Sequence, residues 1–269
     1  MPPLSRRSEQ IVLYECIIRA EELSMRVRAR MPLNTMEART PASQRTMAKF
    51  LQAAESVFGH HGYEGTSVRE IASRAGVNLG TLKHYWGGRR ELFRDLMERR
   101  LRPVCDAAAA RLAALDVSST NRVPDPEAVV ACLVEPAFLI GVSCTPDLDF
   151  SDPRARRRFH VFFGRCLCDP AREIVEDTNA MFDHVTRKFC DLLRVACPEL
   201  TQAELDWRVN CVFGAISFAQ LWSERLGRPK GKVADLDDVL AARWVMHLIK
   251  HGVAAAPLSL AKPLRGPSF

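Results

Sequence analysis

The stretch from residue 66 to residue 93 constrains the fold more than any other part of the chain. It has the pattern of a short helix, a glycine turn, a second short helix and the basic beginning of a third. Gly76 follows the first apolar helical repeat, and glycine accepts the left-handed backbone that ends many helices. Two short helices joined in this way allow the second to enter a DNA major groove while the first lies across it.

The first short helix is predicted to begin at a capping box. Ser67 would cap the helix, and Glu70 would reach back to the cap. Val77, an apolar residue inside the turn, is expected to fill the angle between the two helices. The apolar face of the first helix is formed by Val68, Ile71, Ala72 and Ala75.

The second short helix, predicted over residues 79–86, buries Leu82 and Trp86 and ends at a pair of glycines. Its other side chains are left to face outward. Arg89 opens the next helix, where exposed amides also attract phosphate. The predicted DNA-contacting residues are Arg69, Asn78, Leu79, Gly80, Thr81, Lys83, His84, Tyr85 and Arg89.

A preceding amphipathic helix, predicted over residues 46–61, completes a small three-helix unit that is expected to pack against the carboxy-terminal part of the chain. Residues 53–63, 66–76, 81–82 and 86–93 of this unit resemble the amino-terminal domain of TetR/AcrR-type transcriptional regulators. The resemblance covers residues 45–95, and its turn glycines, core positions and aromatic helix end agree together.

The resemblance implies an all-helical homodimer that binds operator DNA through this domain and accepts a small molecule in a larger carboxy-terminal domain. One departure concerns the recognition helix. The family often has a Tyr-Tyr-His-Phe-like run where this chain has Lys83-His84-Tyr85-Trp86, which leaves the operator preference open.

We predict an all-α fold divided into four segments. Residues 43–95 form the helix-turn-helix domain, and residues 96–256 form a helical ligand-binding and dimerisation domain. Residues 257–269 form a tail, and residues 1–42 form an extension that is expected to be poorly ordered. Three alternatives remain open for the extension. It could be a basic arm that contacts DNA phosphates, an additional packing helix, or a stretch that lies upstream of a later translation start.

Charge is distributed unevenly between these segments. Residues 1–100 hold 17 Lys and Arg against 11 Asp and Glu, whereas the remaining residues hold 21 of each. The whole net charge of +6 therefore lies in the part that carries the helix-turn-helix. A basic module joined to a neutral one suits polyanion binding by the first.

The motifs of other protein classes are missing from the sequence. The nine cysteines include no Cys-x-x-Cys pair, and Cys166 and Cys168 have no histidine at zinc-finger spacing, so we predict neither a metal site nor another cofactor. The sequence has no phosphate-binding glycine loop and no catalytic serine or metalloprotease motif, so we do not predict an enzyme. Without a signal peptide or membrane-length apolar run, a cytoplasmic protein is expected.

Helix signals continue to the end of the chain. Pro103 is expected to kink a helix over residues 91–115. Asp-Pro pairs predict helices over residues 126–141, 153–167 and 170–196. A second capping box, Thr201 with Glu204, predicts a helix over residues 202–226, and a final helix is predicted over residues 236–252.

We predict homodimerisation through the last two helices, because two recognition helices must be held about one DNA turn apart to read a palindrome. The alternative is that these helices only close the core of a monomer. Gly214 and Ala215 would permit close approach of a partner helix. The apolar face assigned to this contact carries Leu205, Val209, Val212, Ile216 and Ala219.

The carboxy-terminal helices are rich in phenylalanine, which can line an apolar cavity. The predicted ligand-binding residues are Phe138, His160, Phe163, Arg165, Phe182, Phe213 and Trp222. The function hypothesis is a repressor that a small apolar or amphipathic molecule releases from a palindromic operator. The competing hypothesis is a helical interaction module without specific DNA binding, which would lack a steep salt dependence of DNA affinity.

Overall fold

The computed structural model describes residues 40–115, 123–140, 152–225 and 238–257, which form helices and connecting turns with no strand among them. The all-α prediction is confirmed. The helices are α1 (Pro41–His61), α2 (Val68–Ala75), α3 (Gly80–Tyr85), α4 (Arg89–Arg100), α5 (Arg102–Ala114), α6 (Pro126–Glu135), α7 (Pro153–Cys168), α8 (Arg172–Ala196), α9 (Gln202–Arg225) and α10 (Asp238–Val253). A π-helical segment, Pro136–Ile140, continues α6.

Two predicted segments fall beyond this description. The predictions for the amino-terminal extension up to residue 39, and those for the tail beyond residue 257, lie outside the described residues. None of the helices in the described ranges has the length and apolar character that a membrane span requires.

Local capping chemistry explains several helix starts. Asp125 and Asp152 accept the amides of Glu127 and Arg154, at 3.1 and 2.9 Å, so α6 and α7 begin at the prolines as predicted. The prediction for α1 was five residues short, because Thr40 caps it and a proline occupies its first position.

The third Asp-Pro prediction was wrong, because α8 begins at Arg172 rather than at residue 170. Asp169 does not act as a simple cap. One carboxylate oxygen accepts the Ala171 amide at 3.0 Å, and the other accepts the amide of Tyr63 from the amino-terminal domain at 2.8 Å. The long-range bond holds the Asp-Pro segment extended, and the helix starts after it.

The helix predicted over residues 91–115 is divided in two close to the proline. Leu101 lies at the junction of α4 and α5, and Pro103 is the second residue of α5. The Leu101 amide still bonds to the carbonyl of Met97 at 2.7 Å, and the Cys105 amide bonds to that of Leu101 at 2.9 Å. Proline has no amide hydrogen to bond the preceding turn, so the helix is interrupted there while its neighbours keep their bonds.

Helices α1 to α4 enclose a compact aromatic core that includes Phe50, Phe58 and Phe93, each at most 1% exposed. Glu55 on α1 and Arg100 at the end of α4 form an ion pair at 3.1 Å inside this region, and both side chains are buried. Burying a charged pair is tolerated where the partners bond each other, whereas removing one partner leaves an uncompensated charge.

Helix α7 is the central element between the two domains. On one side it packs on α1 at Gly59, where an added Cβ would lie 3.1 Å from Val161. On its other side it packs on α9 through Gly164, where an added Cβ would lie 2.7 Å from the carbonyl oxygen of Ser217. These two glycines allow the helices to approach closely, so α7 contacts both the amino-terminal domain and the end of α9.

Candidate DNA interface and effector pocket

The turn between α2 and α3 has the geometry that the sequence predicts. Gly76 adopts the left-handed conformation, with φ 64° and ψ 37°. The amide of Val77 bonds to the carbonyl of Ala72 at 3.0 Å, which closes the end of α2. Val77 is half-buried and packs on the domain core. The two helices are therefore held by a glycine turn with an apolar residue at its centre.

The predicted capping box at α2 is wrong. Ser67 precedes the helix with an extended backbone, but its side chain makes no capping hydrogen bond. Glu70 instead forms a 2.8 Å ion pair with Arg74 one turn later and lies 3.7 Å from His61 of α1. The carboxylate binds these basic neighbours, and the basic groups draw it away from the cap.

Helix α3 is short and is anchored by its apolar side, as predicted. Leu82 and Trp86 are 5% and 8% exposed. The Trp86 ring lies 5.2 Å from that of Phe50 on α1, and its indole nitrogen donates to Asp95 on α4 at 2.8 Å. Asp95 was not singled out from the sequence, because its partner lies nine residues away in the preceding helix.

The opposite side of α3 is open to solvent. Lys83 and His84 are exposed, and Thr81 is half-buried. Before them, Asn78 is exposed and its side-chain oxygen accepts the Gly80 amide at 2.8 Å, which orders the start of the helix. The predicted residues Leu79 and Gly80 are exposed at the same end, and Leu79 presents an apolar side chain that is 41% exposed.

Tyr85 lies differently from its neighbours on α3. Its hydroxyl is 2.8 Å from the hydroxyl of Ser43 near the start of α1, and the ring is half-buried. The contact ties the recognition helix to α1, so this tyrosine positions α3 in addition to any contact with DNA. Ser43 carries no pattern that marks it in the sequence, since the two residues are 42 positions apart.

The two predicted arginines differ in how they are held. Arg69 is exposed on α2. The Arg89 guanidinium stacks over the Tyr63 ring at 4.2 Å, donates to the carbonyl oxygen of Thr66 at 3.3 Å and lies 3.7 Å from Glu64. Arg89 therefore has an intramolecular role in packing the turn before α2, which the sequence did not reveal.

Three of the predicted ligand residues, Phe163, Phe182 and Phe213, meet in the carboxy-terminal domain. They line an apolar cavity of only about 20 Å³, whose other walls are Val104, Ala108, Leu133, Ala137, Leu167, Val185 and Ile216. Neighbouring rings touch edge to face, with centroids 6.3 and 6.5 Å apart. A space of this size holds about one water molecule, so the phenylalanines fill the predicted pocket themselves.

The remaining predicted ligand residues lie elsewhere. Phe138 and His160 are buried beside one another, with ring centroids 6.0 Å apart, and neither lines the cavity. Arg165 does not line the cavity and donates instead to the carbonyl oxygen of Gly59 on α1 at 3.2 Å, so its assignment to the pocket is corrected. The side chain of Trp222 falls outside the part of α9 whose side chains the structure describes.

Polar side chains at three positions of the carboxy-terminal domain bond to the amino-terminal domain. Arg165 donates to Gly59 on α1, and Asp169 accepts the amide of Tyr63 in the turn after α1. Asp177 on α8 accepts two hydrogen bonds from Arg94 on α4, at 2.6 and 2.8 Å. Hydrogen bonding by Arg94 holds the pKa of the Asp177 carboxyl below its usual range. Helices α7 and α8, which wall the cavity, are thus bonded directly to the DNA-binding domain.

The predicted dimer face of α9 is corrected by burial. Leu205, Val209, Val212 and Ile216 are at most 5% exposed, because they form the core of the monomer. The opposite side of the helix is the exposed one. Together with exposed residues of α10 it forms what we call the outer face: Trp207, Cys211, Gly214, Phe218, Trp244 and Leu248.

A larger cavity lies between α9 and α10 beside the outer face. It measures about 530 Å³ and is lined by Glu204, Trp207, Arg208, Cys211, Val212, Ala215, Leu248, Ile249, Gly252, Val253, Ala255 and Ala256. We call it the α9–α10 groove. The cysteines in the described ranges are free thiols, and no cluster of three metal-ligating side chains occurs there.

Two family models match the regions that these helices define. The one described as "Bacterial regulatory proteins, tetR family" matches residues 50–96, and the one described as "Tetracyclin repressor-like, C-terminal domain" matches residues 144–252. Together they span more than half of the chain. The chain belongs to the TetR family. By these descriptions, this TetR-family chain combines the regulatory-protein domain of the family with a tetracycline repressor-like carboxy-terminal domain.

Individual relatives are more distant. The uncharacterized HTH-type transcriptional regulator YezE of Bacillus subtilis (strain 168) is 29% identical over 111 residues, which cover 38% of this TetR-family chain and 57% of YezE. The chain thus matches little more than half of that relative's length.

Two solved structures show the same fold. A TetR-like transcriptional regulator from Rhodococcus sp. RHA1 has a TM-score of 0.51 and 21% identity, over 81% of this chain and 100% of that chain. The fatty acid degradation regulator FadR from Bacillus halodurans also has a TM-score of 0.51, with 17% identity over 80% of this chain and 98% of that chain. At these identities the likeness concerns the fold of this TetR-family regulator alone.

Proposed function

We propose that this regulator is a homodimeric cytoplasmic repressor that a small apolar or amphipathic molecule releases from a palindromic operator. The observation that carries the proposal is the geometry of α3. Leu82 and Trp86 anchor one side of this helix in the core, and Lys83 and His84 are exposed on its other side. A dimer that covers an operator needs no further surface to block transcription, which favours repression over activation.

The residues around α3 are proposed to have different roles on DNA. Lys83 and Arg69 contact phosphates, while Thr81 and His84 reach base edges in the major groove. The exposed Leu79 side chain suits an apolar contact with a thymine methyl group. Asn78 and Gly80 bring the amino terminus of α3 close to the sugar-phosphate backbone of the DNA. Tyr85 orients the helix through its hydrogen bond with Ser43.

The first test uses an operator selected from a random DNA pool. Replacing Lys83 with Ala removes one phosphate contact, so affinity should fall about equally for all sequences and the slope of log K against log salt should decrease by roughly one per subunit. Replacing His84 with Ala should instead relax sequence preference.

The matched control is Arg187→Ala, which removes an exposed charge on α8 away from α3. Its salt slope should equal that of the native protein. A native protein that shows no steep salt dependence would favour the interaction module without specific DNA binding over the repressor.

Effector binding is proposed to open the phenylalanine cavity. Its walls are wholly apolar, which favours an apolar molecule or the apolar part of an amphipathic one. At about 20 Å³ it accepts such a molecule only if α7, α8 or α9 move apart. Because α7 and α8 also hold the DNA-binding domain through Arg165, Asp169 and Asp177, this movement would shift the recognition helices.

The second test measures the coupling between effector and operator. A hundredfold loss of DNA affinity requires about 2.7 kcal/mol of coupling, and thermodynamic reciprocity requires the operator to weaken effector binding by the same factor. A compound identified by thermal-shift screening is titrated with and without operator. Equal affinities in the two titrations would exclude induction by that compound. Replacing Phe182 with Ala should enlarge the cavity and raise the compound's affinity.

A further inference from the structure

The α9–α10 groove lies at the end of the molecule that faces away from DNA. Asp177, near the start of α8, is bonded to α4 of the DNA-binding domain. From there α8 continues over residues 177–196, about 30 Å at ~1.5 Å per residue, and α9 begins beyond its far end. Ser217, late in α9, returns to α7 by donating to Gly164 at 2.8 Å. The early part of α9, with the groove, is therefore distal to the DNA.

One wall of the groove is held rigidly. Arg208 donates to the carbonyl oxygens of Val253 and Ala255, and to Glu204 on its own helix. These bonds join the beginning of α9 to the end of α10. Val212, one turn later in α9, lines the groove together with Ile249, one turn earlier in α10, so the two helices run antiparallel. The bonds of Arg208 also fix its guanidinium as a side of the groove, beside the apolar walls formed by Val212 and Ile249.

Trp207 stands at the rim of the groove and is 73% exposed, the highest value among the large apolar residues that the structure describes. Leu248, also at the rim, is 71% exposed. Exposing a projecting indole and an apolar hollow side by side is unfavourable for an isolated monomer, whereas both can be covered at once by a second copy of the same surface.

Symmetry determines which parts of two copies can meet. Both α3 helices must face the same DNA, so the two-fold axis has to run from the DNA side towards the distal end. Residues at equal height on the two outer faces then lie opposite one another. The distal groove of one protomer therefore faces the distal rim of the other, and not its Phe218 and Trp244 end.

We infer that, in the homodimer, the Trp207 indole of each protomer occupies the α9–α10 groove of the other, against the fixed guanidinium of Arg208. The groove, at about 530 Å³, is large enough for an indole. An arginine over an aromatic face adds a cation–π attraction to the apolar burial. This packing rests on the proposed homodimer and specifies its register and its main anchor.

The test is a double-mutant cycle on the dimer dissociation constant, measured by sedimentation equilibrium. Trp207→Ala removes the projecting side chain, and Gly252→Leu fills the groove from α10, where an added Cβ meets nothing within 4 Å. Trp207→Ala should raise the dissociation constant about thirtyfold or more, as a buried aromatic anchor does. Gly252→Leu should raise it at least about tenfold by excluding the partner's Trp207.

In the combined variant the two effects should not multiply, because without the indole the filled groove obstructs nothing. Ala110→Leu, which adds an apolar side chain on the exposed side of α5, serves as the control and should leave the constant unchanged. Circular dichroism checks that each variant remains folded.

The outcomes separate the two levels of the proposal. A monomeric native protein at micromolar concentration overturns the homodimer itself. Two results would overturn the groove packing while leaving the homodimer intact. In one, the two substitutions raise the dissociation constant multiplicatively in the combined variant; in the other, Gly252→Leu leaves the constant unchanged. If Gly252→Leu leaves the dimer intact and abolishes binding of the dye 1-anilinonaphthalene-8-sulfonate, the groove takes small molecules instead of the partner's Trp207.

Discussion

At the scale of single residues, Arg89 shows how one side chain can serve both the fold and the ligand. Its guanidinium stacks on Tyr63 and bonds the carbonyl of Thr66, yet about a third of the side chain stays exposed at the amino terminus of α4. The sequence indicated only the exposed, phosphate-facing role. The intramolecular role depends on partners more than 20 positions away, and no local pattern signals them.

We predict that replacing Arg89 with Ala weakens binding to all DNA sequences alike and also lowers the stability of the folded protein. The lost cation–π contact and hydrogen bond together suggest about 1–2 kcal/mol of destabilisation. Arg89→Lys keeps the charge but loses the planar stack, so it should retain most of the salt slope. Thermal melts and salt titrations of both variants provide the check. If Arg89→Ala kept native stability and a native salt slope, Arg89 would contribute neither to the packing nor to phosphate binding.

At the scale of elements, the α2–turn–α3 unit depends on one backbone conformation. Gly76 has a positive φ and open space around the position of a Cβ, so a side chain there would meet backbone strain but no steric contact. Helix ends predicted from such conformational preferences agree with the structure. The capping box predicted at Ser67 does not form, because Glu70 has Arg74 and His61 as alternative polar partners.

We predict that Gly76→Ala destabilises the protein by about 1–2 kcal/mol through the left-handed conformation. Gly76→Asn should cost less, because asparagine tolerates that region better than alanine. Chemical denaturation of the three proteins measures the order. Equal stability of the alanine and asparagine variants would show that the turn relaxes to another conformation.

At the scale of the whole molecule, polar links add to the packing of α7 on α1 in holding the two domains together. Asp177 forms ion pairs with Arg94 and Arg90 of α4. Hydrogen bonding by Arg94 is the main cause of the lowered pKa of the Asp177 carboxyl. Because the pKa is lower in the folded state, the pair stabilises the fold above the ordinary aspartate pKa of about 3.9. This stabilisation is lost as the pH falls through the lower, folded-state value.

We predict that Asp177→Asn lowers stability by up to about 1 kcal/mol near neutral pH, since Arg94 is half exposed to solvent. The difference from the native protein should be constant between about pH 5 and 8 and should shrink as the pH falls below about 4. Melting temperatures of both proteins across this range test it. Asp183→Asn, which affects an exposed pair within α8, is the control. A difference that grows in acid would contradict the assigned sign.

The sequence by itself determined the features that depend on neighbours within about one helical turn. These include the glycine turn at Gly76, the anchoring of α3 by Leu82 and Trp86, the helix break next to Pro103 and the aspartate caps of α6 and α7. Each follows from backbone conformation or from spacing along a helix, and these are properties of the local chain.

Only the tertiary structure decided which surface of a helix is buried and which polar groups bond across domains. Helix α9 has apolar residues on both sides, so only its packing on α7 shows that Val212 is core and Trp207 is exposed. Likewise, phenylalanines that could line a pocket instead fill it, and Asp169 bonds a distant amide before starting a helix. Such outcomes depend on contacts between residues far apart in the chain, whose free energies no local pattern encodes.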